Sequence, residues 1–336
     1  MAGPRRCVVT GGAGFIGSHL VERLLGDGHR VSVVDDFSTG RMANLNPSEG
    51  SPKLEIHECD VAESAGLEPI MDGAEWVFHL AALADIVPSI QRPLDYHRAN
   101  VDGTVAVLEA ARAAGATRFV YAASSSCYGI SAVYPTPEDA DVKPEYPYAL
   151  TKWIGERYVL HWSQVYGLPA VSLRFFNVYG PRARTSGTYG AVFGVFLAQK
   201  LARRPFTIVG DGEQTRDFTY VTDVAAACAV AAESDASGRV YNVGTGNSTS
   251  VNRIAALVGN EAGVVHVPRR PGEPDCTLAD VTRIRTELGW TAEVSIEEGV
   301  ARLLKEIHHW RDAPVWEPNS IEIATADWFR YLSPRA

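Results

Sequence analysis

The fold is decided by the stretch VVTGGAGFIGSHL, residues 8–20, in which a turn of glycines joins a strand-like apolar run to a helix-like run. Gly12, Gly14 and Gly17 have the spacing of a dinucleotide-binding turn, and Gly11 with Gly14 and Gly17 satisfies the looser pattern TGxxGxxG. Glycines allow a tight turn and a close backbone approach, while the N-terminus of the next helix offers N–H groups to a pyrophosphate. The stretch therefore predicts a strand–turn–helix unit that binds a dinucleotide.

Acidic residues after the next strand-like runs indicate which dinucleotide is bound. The run RVSVVDD places Asp35 where a carboxylate would accept hydrogen bonds from the adenosine ribose. An acid at this position repels a 2′-phosphate, which favours NAD over NADP, although the nearby Arg41 leaves NADP open. Asp60, after the run LEIHEC, is predicted either to bond the adenine amino group or to cap the N-terminus of a helix.

Strand-like and helix-like runs alternate through the first half of the chain. The runs are RCVVT, FIGSHLVERLLGDG, RVSVVDD, LEIHEC, EWVFHLA, NVDGTVAVLEAARAAG and RFVYAAS. This alternation with short connections predicts an α/β protein whose doubly wound parallel sheet carries helices on both faces. From about Arg182 the pattern loosens into loops rich in Gly, Pro and Arg, which indicates a smaller lobe. The aromatic tail, residues 308–332, is assigned to packing or oligomer contact, with Ser320 as the N-cap of a last helix.

Length, charge and cysteine content bound the class of protein. A chain of 336 residues is long enough for one large domain or for one domain with a smaller lobe. The formal net charge of −9 argues against a surface that coats nucleic acid, and no apolar run is long enough to span a bilayer. Five scattered cysteines without CxxC pairs predict neither a disulfide framework nor a metal site, and they favour a reducing cytoplasm.

A tyrosine and a lysine spaced for one helix face suggest general-base chemistry. In PEYPYALTKW, Tyr148 and Lys152 stand at positions i and i+4. A tyrosine acts as a base only when its pKa falls, and both Lys152 and a positively charged nicotinamide would favour the phenolate. The pattern YxxxK is common by chance. Joined to the glycine turn and to the serine-rich strand end YAASSSCYG, residues 121–129, it becomes specific.

Eight motifs together resemble those of a known family. They are TGGAGFIGSHL, VFHLAAL, NVDGTVAVLEAA, SSSCYG, YALTK, LRFFNVYGPR, GDGEQTRDFTYVTD and RRPGEPD with a later AD. The sequence resembles the extended short-chain dehydrogenase/reductases over nearly its whole length, and within them the NAD-dependent nucleotide-sugar epimerases and dehydratases. The resemblance implies a Rossmann-type NAD-binding domain over residues 1–180. It implies a C-terminal α/β lobe over residues 181–336 that mainly binds the nucleotide sugar, with some segments returning to the first domain.

The resemblance also implies the catalytic residues and the type of reaction. The family's catalytic Ser or Thr stands four residues before the Tyr of the strand-end motif, which here is Ser124. Relatives that act as 4,6-dehydratases follow this residue with Asp-Glu, and decarboxylating relatives carry a Glu at the second of these positions. Here both positions are serines, Ser125 and Ser126. Without these acids, the chemistry that the resemblance implies is hydride transfer with one proton relay, as in the UDP-glucose and UDP-N-acetylglucosamine 4-epimerases. Tyr148 would be the base and Lys152 its partner.

Other readings stay open at this point. They are a UDP-glucuronate 4-epimerase, a nucleotide-sugar 4,6-dehydratase, a 4-ketosugar reductase and a catalytically silent NAD-sensing protein. The resemblance further implies a homodimer, in which the helices around residues 101–115 and 148–167 pair across a two-fold axis.

The resemblance assigns two sets of binding residues. The NAD set is Gly11, Gly14, Phe15, Ile16, Gly17, Asp35, Asp36, Asp60, Val61, Leu80, Ala81, Ala82, Asn100, Tyr148 and Lys152. The substrate set is Ser125, Ser126, Asn177, Thr207, Val209, Arg216, Arg270, Asp275 and Thr277. Within it, Arg216 and Arg270 are expected to clamp the diphosphate, and the backbone at Thr207 and Val209 is expected to face the base. The small Thr277 is expected to leave room for an acetamido group.

Overall fold

The computed structural model describes residues 3–185, 191–259 and 261–333. The strands are β1 (Arg6–Thr10), β2 (Arg30–Asp35), β3 (Leu54–Glu58), β4 (Trp76–His79), β5 (Arg118–Ser124), β6 (Ala170–Phe175), β7 (Asn177–Tyr179), β8 (Phe206–Val209), β9 (Thr215–Arg216), β10 (Phe218–Tyr220), β11 (Arg239–Val243), β12 (Thr249–Ser250) and β13 (Val264–Val267). The α-helices are α1 (Phe15–Gly26), α2 (Ser64–Met71), α3 (Ile86–Gln91), α4 (Pro93–His97), α5 (Gly103–Ala113), α6 (Pro147–Tyr166), α7 (Val192–Leu201), α8 (Val221–Glu233), α9 (Val251–Val258), α10 (Thr282–Leu288), α11 (Ile296–Lys305) and α12 (Pro318–Leu332).

The predicted doubly wound parallel sheet is confirmed in the described part of the chain. Seven strands lie in the order β11-β6-β5-β4-β1-β2-β3, and each neighbouring pair is parallel. The order reverses between β1 and β4, whose last residues, Thr10 and His79, are register partners. In such sheets ligands bind outside the carboxyl ends of the strands at the point of reversal. The topology therefore places a binding site beside Thr10 and His79.

The two faces of the sheet bury separate cores, as the alternating direction of strand side chains requires. On β1, Val9 packs in the cluster that includes Leu20 of α1 and Val224 of α8. Its neighbour Val8 packs in the opposite cluster, with helices α2, α5 and α6. Both valines are fully buried, so β1 lies at the centre of the molecule. This position holds the glycine turn that follows β1 in a rigid setting.

The second half of the chain builds smaller paired strands and also returns to the main sheet. The pairs are β7 with β10, β8 with β13 and β9 with β12. Strands β7, β8 and β10 pack with α7, α9 and α11 around a third apolar cluster that contains Phe196, Phe206 and Leu303. Strand β11 pairs with β6 in the central sheet, and α8 packs against α1. Across the described ranges, no helix combines the length and apolar character that a membrane-spanning segment requires.

Two predicted helix caps are wrong. Helix α12 has Glu317 at its N-cap, with Pro318 first in the helix, where a missing N–H costs nothing. Ser320 instead occupies the third helical position, and its Oγ accepts the Glu317 N–H at 2.9 Å in a reciprocal capping box. Helix α2 begins at Ser64 after Glu63, so Asp60 is not its cap. The Asp60 carboxylate accepts the Ala62 N–H at 2.9 Å, within the turn that precedes the helix.

Candidate active site

A cavity of about 760 Å³ opens at the carboxyl ends of the central strands, where the topology places a binding site. The glycine turn after β1 forms one end of it. Gly11 has a φ of +69°, and a Cβ at Gly17 would collide with the Gly11 carbonyl oxygen. Glycine is therefore required for α1 to start this close to β1. The wall here contains Gly11, Gly14, Phe15, Ile16 and Gly17.

Acidic side chains follow the glycine turn along the same wall. Asp35, the last residue of β2, is 6% exposed, and its carboxylate accepts N–H groups from Ala13 and Phe37, each at 2.9 Å. Burial raises the pKa of Asp35, whereas these two hydrogen bonds lower it. Asp60 also lines the cavity and forms an ion pair of 2.6 Å with Arg98. Other cofactor-set residues on this wall are Asp36, Val61, Leu80, Ala81 and Ala82.

Asn100 belongs to the predicted cofactor set but does not reach the cavity wall. It is buried, and its side-chain amide accepts the Leu83 N–H at 2.8 Å while donating to the Leu83 carbonyl at 3.0 Å. A further bond of 3.0 Å joins it to Thr151 of α6. Asn100 therefore holds the loop after β4, which carries Leu80 to Ala82, against helix α6.

A row of hydroxyl groups forms the middle of the cavity. Ser124 ends β5, and Tyr148 lies in the first turn of α6. The Oγ atoms of Ser124 and Ser126 are 2.8 Å apart, and Ser126 also acts as a hydrogen-bond partner of the Tyr146 hydroxyl. Burial raises the pKa of Tyr148, and a hydrogen bond with Ser124 lowers it. With Ser125, these residues line the cavity, so the structure brings Ser124 and Tyr148 together.

Lys152 lies behind this row rather than in the cavity wall. It is 4% exposed, and its Nζ is 4.3 Å from the centre of the Tyr121 ring. Burial lowers the pKa of Lys152 to about 7, and the Glu156 carboxylate opposes this effect. In the structure a hydrogen bond with Ser124 lowers the pKa of Tyr148, and the effect of Lys152 on that pKa stays a prediction.

A buried ion pair lies next to the end of β5, which carries Ser124. Glu156 of α6 and Arg174 of β6 are 2.6 Å apart, with side chains 2% and 6% exposed. Arg174 also donates to the Tyr128 hydroxyl at 2.8 Å, and Tyr128 donates to Asn242 of β11 at 2.7 Å. Because every member of this network is paired, it fixes the turn after Ser124 in one conformation.

The two arginines predicted to bind a diphosphate share one carboxylate. Arg216 contacts Glu273 at 2.9 Å, and Arg270 lies 3.9 Å from the other oxygen of the same side chain. All three residues line the cavity. Sequence reasoning missed Glu273, although its position three residues after Arg270 was the available signal. The shared carboxylate holds the guanidinium groups of strand β9 and of the loop after β13 beside each other.

Of the other substrate-set residues, four line the cavity and one does not. Thr277 lines the cavity and donates to the Asn177 side chain at 3.1 Å. Thr207 and Val209 also line it, but the Thr207 N–H donates to Gln199 and the Val209 carbonyl accepts from Gln214. The structure does not bring Asp275 to the cavity.

The Asp275 side chain is exposed and pairs with Arg269, because the loop turns it outward. Glu273, two residues earlier, lines the cavity instead, and a binding role for Asp275 stays a prediction.

Several cavity residues were not anticipated. Asp85 and Arg184 form an ion pair of 2.5 Å in the wall, and the Asp85 charge raises the pKa of Tyr148. Asp85 follows the HLAAL motif and Arg184 follows the GPR motif, which were the signals available. The aromatic tail, which the sequence left without a site role, contributes Trp310, Trp316 and Trp328 to the wall.

Comparison with known proteins identifies the family. Residues 7–244 match the model of the NAD-dependent epimerase/dehydratase family. The chain belongs to this family. The family shown here is the one that the sequence motifs resemble, so that prediction is confirmed.

Named relatives of this family member are nucleotide-sugar enzymes. The chain is 39% identical over 311 residues to the UDP-glucose 4-epimerase of Mycolicibacterium smegmatis, covering 89% of this chain and 97% of that protein. It is similar in structure to a UDP-N-acetylglucosamine 4-epimerase of Methanobrevibacter ruminantium, with 34% identity, a TM-score of 0.84 and coverage of 91% and 100%. It is also similar to a UDP-glucuronic acid 4-epimerase of Bacillus cereus solved with UDP-glucuronic acid and NAD, with 31% identity, a TM-score of 0.84 and coverage of 90% and 99%.

The cofactor of this family member is NAD, as predicted. The residues of the cavity fit it. The start of α1 after Gly14 would offer N–H groups to the pyrophosphate, and the close packing at Gly17 holds this helix end beside the turn. The Asp35 carboxylate, held by two N–H groups at the end of β2, is placed to accept a ribose hydroxyl.

Proposed function

We propose that the protein is an isomerase that inverts C4 of a UDP-hexose: UDP-glucose and UDP-galactose, their N-acetylated counterparts, or both pairs. The observation that carries the proposal is the pairing of Ser124 with Tyr148 in the cavity wall. Ser125 and Ser126 stand beside them, where related dehydratases and decarboxylases place acids. An alcohol oxidation and its reversal need one proton acceptor and one hydrogen-bond donor, and the pair supplies both.

The mechanism assigned to these residues is a balanced oxidation and reduction. Tyr148, as the phenolate, removes the proton of the C4 hydroxyl while Ser124 donates a hydrogen bond to the same oxygen. When bound, NAD supplies the acceptor and donor for the C4 hydride. The resulting 4-keto sugar turns its other face, and Tyr148 returns the proton to the oxygen. No net oxidant is consumed.

The lobe over residues 181–336 is assigned to the nucleotide diphosphate in this proposal. Arg216 and Arg270 would make charge-assisted bonds to phosphate oxygens, for which the planar guanidinium group is suited. Their common partner Glu273 keeps the two guanidinium groups within reach of one ligand. Thr277, beside Asn177, is assigned to the edge of the sugar's 2-substituent.

A uronate substrate is the second candidate, and one observation favours it. Arg184 places a guanidinium group in the cavity wall, beside Asp85, whose charge acts on Tyr148, and this group can pair with a C6 carboxylate. Its existing partner Asp85 reduces the net positive charge there, so a neutral hexose remains the first choice. Replacing Arg184 by Met should abolish turnover of UDP-glucuronate while sparing UDP-glucose if the second candidate is correct.

The proposal includes a cytoplasmic homodimer formed through α5 and α6. Helix α6 exposes the apolar or aromatic side chains of Tyr158, Val165 and Tyr166. Light scattering of the purified protein at micromolar concentration should give the mass of two chains. A stable monomer would remove this part of the proposal.

Product analysis by NMR tests the function. The protein is mixed separately with UDP-glucose, UDP-N-acetylglucosamine and UDP-glucuronate, without added cofactor. We expect the C4 epimer of at least one neutral hexose, because NAD is regenerated in each cycle. A 4-keto sugar that accumulates only with added NAD⁺, with one NADH formed for each, would indicate a 4-ketosugar reductase working in reverse. Loss of water would indicate a dehydratase, and loss of CO₂ would indicate a decarboxylase.

A further inference from the structure

The aromatic tail, residues 308–332, brings Trp328 to the substrate end of the cavity. This side chain lies on α12, is 6% exposed and forms part of the cavity wall. Its Nε1 donates to the Pro271 carbonyl at 2.7 Å, which fixes the indole against the loop that follows β13. The indole therefore has a defined orientation beside that loop.

The indole of Trp328 packs against the guanidinium group of Arg270. The guanidinium carbon lies 5.3 Å from the centre of the ring, within the range of a cation–π contact. The carboxylate of Glu273 lies near Arg270 on another side and also pairs with Arg216. The guanidinium group of Arg270 therefore contacts both the indole and a carboxylate. A guanidinium group held by a ring and a carboxylate samples fewer orientations than one on an open loop.

On another side Trp328 approaches the turn that carries the proposed base. Its ring centre is 6.4 Å from that of Tyr146, the N-cap residue of α6. Tyr146 is stacked in turn on Tyr148, with 6.4 Å between ring centres and 8° between ring planes. Packed rings thus run from Arg270 through Trp328 and Tyr146 to Tyr148.

Helix α12 is anchored on two sides of the cavity. Its Asp327 accepts a hydrogen bond of 2.8 Å from Gln91 of α3. Helix α3 comes directly after the loop that carries Leu80 to Ala82. Its Ile321 is buried in a cluster with Val209 of β8 and Val267 of β13. The helix therefore has fixed points on both halves of the molecule, and it can hold Trp328 in place.

We propose that Trp328 is a positioning residue for the diphosphate of the nucleotide sugar. It orients Arg270 before the ligand arrives and joins this arginine to the turn that carries Tyr148. Orientation in advance reduces the entropy lost on binding, so the effect falls on affinity. The proposal rests on the proposed role of Arg270 as a diphosphate ligand, and it gives the C-terminal helix a function in the site.

Binding of UDP, which carries the diphosphate without a sugar, tests this role. Calorimetry on the NAD-containing protein would compare the parent with Trp328→Leu, which fills space but has no ring. We expect the Kd for UDP and the KM for the nucleotide sugar to rise about tenfold, with a smaller change in kcat. Trp328→Phe keeps a ring beside Arg270 and should recover most of the affinity.

A matched control is Tyr331→Leu, which removes an exposed aromatic ring from the same helix. It should leave UDP affinity unchanged, and thermal melting should show all variants folded at the assay temperature. If affinity falls for the nucleotide sugar but not for UDP, Trp328 contacts the sugar and does not act through Arg270. That result would overturn the proposal, as would equal loss in the Leu and Phe variants.

The double variant separates this inference from the function on which it rests. Arg270→Ala should weaken UDP binding, and adding Trp328→Leu to it should cause no further loss, because the ring then has no guanidinium to orient. Independent, additive losses would contradict the positioning role. If Arg270→Ala leaves UDP binding unchanged, the clamp and the inference fail together, while C4 inversion seen by NMR would still support the epimerase.

Discussion

The catalytic side of the cavity and its substrate side are built in different ways. Ser124 and Tyr148 lie at the end of β5 and the start of α6, elements packed on the central sheet. Arg216, Arg270 and Thr277 lie on a two-residue strand and on loops. Under the proposed function, the sheet would hold the reacting groups in place, whereas the choice of substrate would depend on loops, which tolerate change.

The ion pairs that support the two sides also differ, because the pair on the catalytic side is more deeply buried. Behind the catalytic side, the ion pair of Glu156 with Arg174 is nearly inaccessible to water, and Arg174 is bonded to Tyr128. Removing one partner of such a buried pair typically costs about 3–5 kcal/mol. The substrate side has the partly accessible pair of Arg216 with Glu273, which a charged ligand can reach. Mutations should therefore affect chemistry on the first side and affinity or selectivity on the second.

Tyr148→Phe should have the largest effect on turnover. It removes the hydroxyl that takes the proton and leaves the ring stacked on Tyr146, so we expect a loss of roughly 10²–10⁴-fold. NAD retention should be unchanged. Activity is measured by NMR, and retained NAD by its release on heating. Tyr331→Phe, at an exposed tyrosine outside the cavity wall, is the control, and an active Tyr148→Phe enzyme would refute the assignment.

Lys152→Met should have the next largest effect and should change the pH dependence. A positive neighbour favours the phenolate, so its removal raises the pKa of Tyr148 and moves the rising limb of activity to higher pH. Because burial lowers the pKa of Lys152 to about 7, its charge is present below that pH and is lost above it. The variant should therefore be about ten- to a hundredfold slower below pH 7 and approach the parent above it.

The control for this prediction is Lys143→Met, which removes an exposed lysine outside the cavity and should leave the pH profile unchanged. Lys152→Met should also retain less NAD after purification. Identical pH profiles for the parent and Lys152→Met would show that Lys152 does not assist Tyr148. The lowering of the Tyr148 pKa would then rest on Ser124, as it does in the structure.

The contrast between the two sides also explains what the sequence could predict. The glycine turn, the position of Asp35 at the end of β2 and the placement of Tyr148 in a helix are local patterns, and the structure has each of them. Trp328 lies 58 residues beyond Arg270 along the chain, and no local pattern says that α12 folds back over the cavity. Glu273 and Asp275 lie in one loop, and the loop sequence does not show which of the two acids lines the cavity.

Thr277→Tyr should have the smallest effect, confined to one pair of substrates. Thr277 lines the cavity beside Asn177, and a tyrosine there would fill space that an acetamido group needs. Overpacking a site typically costs about 1–3 kcal/mol. Since Thr277 is only half-buried and its loop can yield, we expect the low end of this range, about a tenfold selective loss. NMR time courses would compare UDP-N-acetylglucosamine and UDP-N-acetylgalactosamine with UDP-glucose and UDP-galactose.

If Thr277→Tyr slows only the acetylated sugars, Thr277 borders the sugar pocket. If it slows both substrate pairs, Thr277 serves the packing of the lobe. Thr286→Tyr, on an exposed turn of α10, should leave turnover of both substrate pairs unchanged because Thr286 does not line the cavity. Equal loss on both pairs would mean that the tyrosine disturbs Asn177 or the loop rather than the 2-substituent. No turnover of acetylated sugars by the parent would remove the pocket assignment. Selective loss would place substrate choice on the loop side while the hydroxyl row at Ser124 and Tyr148 stays unchanged.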